Sequence, residues 1–515
     1  SAKYVDEVNL RGSATGLTAR NGEIAVCDST GIELRTTSDM HVTGAFALPN
    51  VTDAVIAADG SLWILAGDTV KHYSATGQYL GQSIPSLQVP TAIAWDNVGR
   101  LIVCDDGPRE QVLFYDVSQT PKLVRAFGQK GGLSSGIPGQ IEPDKLFGLR
   151  GAGTDQYGNL TVAMSLTGGV GGGTFLRSFT PNGELRWDLQ GMAFVDTFGF
   201  DPDSDGSTIY SRFARIDLDL NKTVPGSEWH LSAITVPYAN GQKDDRLSNT
   251  SASVIVRRIQ GRRILYMIGQ YAGGYHLYTF TPQNGNYAQE VGHISGNDEW
   301  AWYVDASGNI WNGDAPGETI RMFKFGGWSA DGTPLYDWNH PESWPWPNGW
   351  GLIRRLIYVN KTDSLYIFGY LDGQSVDSWG VVGHAARRYD GWLTGDPTVK
   401  WTVSALPVNP TGNDSSGVLT PQSVEICGDY LFVGMVKPDA GSAVYVHILS
   451  LSNGAYVGTF VPGSEIGGLT GWEDMPYAIS AFERRNGEYL VLVEEDWRSK
   501  NILYRWIPNG KSAGG

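Results

Sequence analysis

Two acidic–aromatic clusters recur in this sequence, Asn297-Asp298-Glu299-Trp300 and Trp472-Glu473-Asp474, and a third reads Glu494-Glu495-Asp496-Trp497. Asp314 adds a carboxyl beside the turn Ala315-Pro316-Gly317. Glycoside hydrolysis uses carboxyls in pairs, one protonated to assist the leaving oxygen and one ionised as nucleophile or base. Crowded acids repel one another, and the repulsion lifts one pKa above the other. Indole faces suit the C–H faces of sugars. Trp300, Trp302, Trp472, Trp497 and Trp350, the last in the run Trp344-Pro345-Trp346-Pro347-Asn348-Gly349-Trp350, would supply them. The expected catalytic set is Glu299, Glu473 and Glu495, with Asp298, Asp474, Asp496 and Asp314 as second carboxyls. Each acid also has a plainer role as a turn cap, and each Trp as core.

Elimination at a uronate is the second chemistry on offer. It needs a base, often His or Tyr, and a cation to neutralise the sugar carboxylate. His384 and Arg388, in His384-Ala385-Ala386-Arg387-Arg388-Tyr389, and Tyr271 and His276 near Arg257-Arg258 provide those types. Side chains alternate along a strand, so each Arg pair sends one member inward and one outward. A non-catalytic propeller that binds glycan or protein through the same aromatic residues is the third reading.

No cofactor is expected. Asp201-Pro202-Asp203-Ser204-Asp205-Gly206 resembles the start of a calcium loop, but no Glu closes it at the required spacing. It reads as a turn first and as a structural calcium site second. The run Thr167–Thr174 is rich in Gly but lacks the Lys-Ser/Thr of a phosphate cradle. There is no His-x-His or Cys-x-x-Cys pair to hold zinc, so the expected metal set is empty.

The net charge of −16 repels phosphate backbones, which sets nucleic acid aside as a partner. It also disfavours polyanionic glycans, unless a local basic patch overrides the global field. No apolar run is long enough for a membrane-spanning helix. Three cysteines, Cys27, Cys104 and Cys427, cannot form a complete disulfide framework and read as buried free thiols. Six Asn-x-Ser/Thr sequons and a start at Ser1-Ala2 fit a processed, secreted chain. The expectation is a monomer, secreted or extracytoplasmic, acting on an oligo- or polysaccharide.

These side chains need a scaffold, and the sequence repeats one. Gly is 67 of 515 residues, and charged residues are only 18%. That is a turn-rich, weakly charged composition suited to an all-β chain. One unit runs Pro90-Thr91-Ala92-Ile93-Ala94-Trp95-Asp96, turns at Asn97-Val98-Gly99, then continues Leu101-Ile102-Val103-Cys104-Asp105 and Val112-Leu113-Phe114-Tyr115. Pro476–Ala481, Asn486-Gly487, Tyr489–Asp496 and Ile502–Trp506 repeat the plan. Further turns fall at Asn21-Gly22, Asp59-Gly60, Tyr157-Gly158, Asp205-Gly206 and Ser307-Gly308. Units recur about every 40–60 residues, the period of four-stranded blades.

The Thr91–Tyr115 unit resembles an NHL repeat, and the broader resemblance is to the NHL/SMP-30-like β-propeller superfamily. The resemblance implies a propeller fold. The superfamily's metal-binding residues have no counterparts here that can be matched one by one, so none is carried over. The expected architecture is all-β, a single β-propeller domain over residues 1–515 with seven to nine four-stranded blades, eight the central value. Its N-terminal strand, Tyr4–Leu10, would close the last blade by pairing with Ile502–Ile507. Residues 508–515 read as a flexible tail.

Overall fold

The computed structural model describes residues 13–166, 173–191, 198–211, 213–235, 252–269, 274–294, 302–314, 317–371, 384–404, 406–407, 418–436, 445–460, 476–495 and 500–508. Among them every long element is a strand, and helix is confined to three-residue 3₁₀ turns. Consecutive strands pair antiparallel in up-and-down sheets, most of them four-stranded. The turn glycines explain the tight connections. Gly60 and Gly206 sit at φ 83° and 85°, a region that side-chain-bearing residues adopt at a cost.

The chain divides into two compact units: Ser1–Met192 with Pro237–Asp244, and Ala193–Val236 with Asp245–Gly515. In the first unit four sheets follow one another, with first strands Ala14–Arg20, Val51–Ile56, Pro90–Trp95 and Leu149–Thr154. Each of these first strands lies beside the next. Apolar residues fill the gaps. Cys27, Ile32 and Leu34 meet Ala54 and Ile64, while Trp63, Leu65 and Val70 meet Val103 and Leu113. Phe127 packs edge-on against Phe179 at 4.7 Å between the third and fourth sheets.

The second unit holds six larger sheets, the fifth to tenth of the chain, and a two-stranded sheet, Phe325–Trp328 with Pro334–Tyr336. The first strands of the larger sheets are Gly199–Phe200, Ala252–Ile259, Trp302–Val304, Trp350–Val359, Val418–Cys427, which the two-residue strand Leu406–Pro407 flanks, and Pro476–Glu483. Each again lies beside the next, and Pro476–Glu483 returns to lie beside Gly199–Phe200. Six apolar layers separate the six sheets. The layer that joins the last to the first contains Leu490 and Leu492 against Phe198, Ile209, Ile216 and Leu218. The second unit is therefore a closed ring of six sheets, a β-propeller in its own right. Burial of each Leu or Ile in such a layer contributes about 1.5–3 kcal/mol relative to exposure.

The all-β, four-stranded plan holds, but the chain forms two units, where one domain of seven to nine blades was expected. The physical reason is that periodicity specifies a blade, whereas the pair of blades that meets to close a ring depends on complementary faces far apart in the chain. The proposed closing strand Tyr4–Leu10 and the tail from residue 509 lie outside the described residues. The tenth sheet has three described strands, ending with Lys500–Trp506.

Candidate binding channel of the second unit

The first strands of all six sheets contribute to one cavity of about 400 Å³. Phe200, Arg257, Tyr303, Arg355, Glu425 and Phe482 represent the fifth to tenth sheets in its lining. A strand that lines a channel normally presents small or apolar side chains. Three charges here break that rule, and they meet.

Arg355 Nη2 donates to Glu425 Oε2 at 2.8 Å, bridging the eighth and ninth sheets. The two side chains are only 18% and 15% exposed. Glu425 Oε1 accepts the Ile426 N–H at 2.9 Å. Burial pushes the Glu425 pKa up, while the guanidiniums of Arg355 and Arg257 pull it back down. Arg257 Nε donates to the Val304 carbonyl at 2.9 Å, and its guanidinium lies 5.3 Å from the centre of the Tyr303 ring. Burial raises the Tyr303 phenol above its ordinary range. Arg355 Nε is buried without a hydrogen-bond partner among the described residues. Among the described lining residues two guanidiniums stand against one carboxylate, between apolar walls that include Phe200 and Phe482.

Sequence reasoning reached one member of this group. Arg257 faces the channel while Arg258 faces outward to Asp203, Nε to Oδ1 at 2.7 Å, as strand alternation requires. Glu425, Arg355 and Tyr303 were not among the expected site residues, because they sit inside strands and belong to no loop motif. Their signal was a charged or phenolic residue inside an apolar first strand, as in Val424-Glu425-Ile426.

The expected site residues lie as follows. Asp298, Glu299, Trp300, Trp472, Glu473, Asp474, Asp496, Trp497 and Tyr271 are outside the described residues. Asp314, Glu495 and His384 terminate strands, described for backbone only: Asp314 pairs with Thr319, Glu495 with Lys500, and His384 with Tyr370. Trp302 touches the channel, but its body packs between the sixth and seventh sheets, 5.6 Å from the Tyr275 ring. Trp350 is buried core rather than lining. Its Nε1 donates to Tyr389 Oη at 2.8 Å. His276 is buried within the sixth sheet, with Nδ1 2.9 Å from Glu290 Oε1 and its ring stacked on His293 at 4.4 Å. Arg388 braces two sheets, pairing with Asp390 at 2.6 Å and donating to the Leu451 carbonyl at 2.7 Å. Substrate contact was the expectation for Trp350, His276 and Arg388; here Trp350 Nε1, His276 Nδ1 and the Arg388 guanidinium are engaged within a sheet or across an inter-sheet seam.

The Asp201 turn is likewise committed. Asp201 Oδ1 accepts the Asp203 N–H at 3.0 Å, and Oδ2 pairs with Arg263 at 2.5 Å. Among the described residues no group of three or more His, Cys, Asp or Glu side chains is placed to hold a metal ion.

No protein-family profile matches the chain, and no curated protein matches it. Solved structures similar to it include PorZ, a surface component of the type-IX secretion system of Porphyromonas gingivalis. That match has 12% identity and a TM-score of 0.36, covering 97% of this chain and 63% of PorZ. The chain therefore spans under two thirds of the length of that protein. The β-propeller domain of Cps50 (Swd1) from Myceliophteria thermophila is similar at 11% identity and TM-score 0.32, over 72% of this chain and 98% of that one. The extracellular domain of the putative hybrid two component system BT4673 from B. thetaiotaomicron is similar at 10% identity and TM-score 0.30, over 99% and 71%. Likeness at this level concerns sheet architecture and says nothing of activity. Among the described residues no helix is long and apolar enough to cross a membrane.

Proposed function

We propose that the chain is an extracytoplasmic β-propeller protein that takes an acidic saccharide into the channel of its six-sheet ring. The observation that supports this reading is the imbalance, among the described lining residues, of two guanidiniums, Arg257 and Arg355, against the carboxylate of Glu425. A ligand carboxylate brings the cluster to neutrality, and guanidinium matches carboxylate in plane and in donor spacing. Phe200 and Phe482 offer apolar contact to the C–H faces of a sugar ring. The six sequons support the extracytoplasmic part. A local excess of positive charge answers the objection raised by the net charge of −16.

Binding fits the channel better than turnover. Paired-carboxylate hydrolysis needs two acids, and Glu425 is the one carboxylate among the described lining residues. Elimination needs an ionised base, and burial works against ionising Tyr303. Hydrolysis keeps Glu299 and Glu473 as its own candidates. If Glu299→Gln and Glu473→Gln both retain full turnover of a saccharide that the parent cleaves, that role is wrong.

The binding test is calorimetry with uronic-acid oligosaccharides and their neutral counterparts. Acidic oligosaccharides should bind, and Arg355→Gln should weaken them about tenfold or more, the size of one lost charge-assisted hydrogen bond. Equal affinity for neutral and acidic ligands, or none for either, removes the proposal.

A further inference from the structure

The run Arg257-Arg258-Ile259-Gln260-Gly261-Arg262-Arg263 sets four guanidiniums within seven residues of a chain whose net charge is −16. It folds as the tip of the hairpin between Ala252–Ile259 and Arg262–Gly269, turning at Gln260 and Gly261, both with positive φ. Arg257 faces the channel, and the other three line a groove of about 1050 Å³ that shares no described lining residue with it. Register puts Arg258 directly opposite Arg263, and Ile259 opposite Arg262. Like charges set opposite one another repel, so this tip needs anions. The protein supplies two. Asp203 takes Arg258, Oδ1 to Nε at 2.7 Å, and Asp201 takes Arg263 at 2.5 Å. Arg262 is exposed and takes no hydrogen bond or ion pair from the described residues.

Its position is nevertheless fixed. The guanidinium carbon of Arg262 lies 4.8 Å from the centre of the Trp328 ring. Trp328 belongs to the two-stranded sheet that forms one wall of the groove, and Tyr336 anchors that sheet. Tyr336 Oη donates to the Gly308 carbonyl at 2.8 Å and accepts from Tyr266 Oη at 2.9 Å. The turn of the same sheet comes so close that a Cβ built on Gly332 would lie 2.6 Å from Arg262 Nη1. An indole over one face leaves the in-plane N–H groups of a guanidinium for a planar or tetrahedral oxyanion. The acids of the described lining are engaged elsewhere. Glu290 Oε1 lies 2.9 Å from His276 Nδ1, and Asp331 Oδ1 accepts the Thr333 N–H at 3.2 Å. Three side chains of that lining are apolar, while Thr281, Gln289 and Thr333 add hydroxyl and amide groups suited to sugar hydroxyls.

We propose that this groove is a saccharide site separate from the channel, in which Arg262 takes the sulfate or carboxylate group of an acidic oligosaccharide. Its volume stands at the top of the range of about 300–1,000 Å³ usual for ligand pockets, which suits an oligosaccharide better than an isolated ion. The site stands whether or not the channel binds.

The test uses Arg355→Gln protein, in which the channel is weakened, and three probes: oligogalacturonate, a sulfated maltooligosaccharide and the plain maltooligosaccharide. Phenylglyoxal followed by peptide mass spectrometry reads each guanidinium in the intact groove. Arg262 should react before the ion-paired Arg258 and Arg263. A charged probe at about ten times its Kd should slow Arg262 about tenfold, and the neutral probe should leave it unchanged. Protection by one charged probe alone names its group as the ligand. Arg262→Gln added to Arg355→Gln should weaken the protecting probe about tenfold by calorimetry, with circular dichroism showing that the chain is folded. Arg262 reacting at one rate with all three probes overturns the proposal. So does calorimetry in which the folded double variant binds the charged probes as tightly as Arg355→Gln does.

Discussion

Ser480 Oγ donates to the Phe198 carbonyl at 2.6 Å, across 282 positions of sequence. Arg485 N–H donates to Asp205 Oδ1 at 2.8 Å, and Arg505 Nη1 to the Leu220 carbonyl at 2.6 Å, along the same seam. These contacts close the six-sheet ring, and they make its closure measurable. A Cβ built on Gly206 would lie 2.5 Å from Leu490 Cδ1 of the tenth sheet, whereas one on Gly60 meets nothing within 4 Å. Both glycines share the same positive φ. Gly60→Ala should therefore cost about 1 kcal/mol of backbone strain. Gly206→Ala should cost that plus about 1–3 kcal/mol of overpacking. Equal losses in denaturant titration would mean that the tenth sheet does not press on the fifth.

The positions of these turns were legible in the sequence. Asp59-Gly60, Asp205-Gly206, Ser307-Gly308 and Asn486-Gly487 all turn where a Gly follows a small polar residue, and each Gly has positive φ. Local chemistry decides such a turn, so local sequence reports it. The closing seam was not legible. Leu490 and Leu492 look like any middle-strand residues, and nothing local to them names Ile209 and Ile216 as their neighbours. The channel charges fell between these cases. Glu425 is an anomaly in its strand, but Arg355, its partner, comes from the preceding sheet.

Glu425→Gln removes the one described carboxylate from the channel and leaves Arg257 and Arg355. On the proposed function, affinity for an acidic oligosaccharide should rise severalfold by calorimetry. Stability should fall by about 1–3 kcal/mol, because Arg355 loses its charged partner. Unchanged or weaker binding would argue that Glu425 itself contacts the ligand.

Glu110 gives the first unit a pH signature. Its side chain is buried, Oε2 accepts the Leu133 N–H at 2.9 Å, and burial, with Asp106 nearby, pushes its pKa up to about 9. The folded chain thus keeps a proton that the unfolded chain releases near pH 4.3. Its contribution to stability is complete below about pH 4.3 and is lost progressively as pH rises towards 9. Glu110→Gln keeps the shape and the acceptor without the charge. Its melting temperature should fall less between pH 5 and 9 than that of the parent.

The thiols provide a check that needs no substitution. Cys27, Cys104 and Cys427 are free, the first two are buried, and Cys427 is half-buried at the channel. Burial raises all three pKa values, those of Cys27 and Cys427 to about 12. A thiol-specific reagent should modify Cys427 first and slowly in native protein, and all three quickly in denaturant. Intact mass should show no two-dalton deficit. Early modification of Cys27 or Cys104 would contradict their burial in the first and third sheets.

Closure of the ring also sets a timetable for synthesis. The apolar face formed by Phe198, Ile209 and Ile216 leaves the ribosome long before the Leu490 and Leu492 that cover it. At about 5–20 residues per second, a separation of 282 residues is a delay of roughly 15–55 s. The four sheets of the first unit complete their contacts with one another during elongation, while the fifth waits with an uncovered face. A nascent chain stalled before the tenth sheet would display that face to its neighbours. This is the stage at which the protein is most exposed to aggregation and most in need of a chaperone.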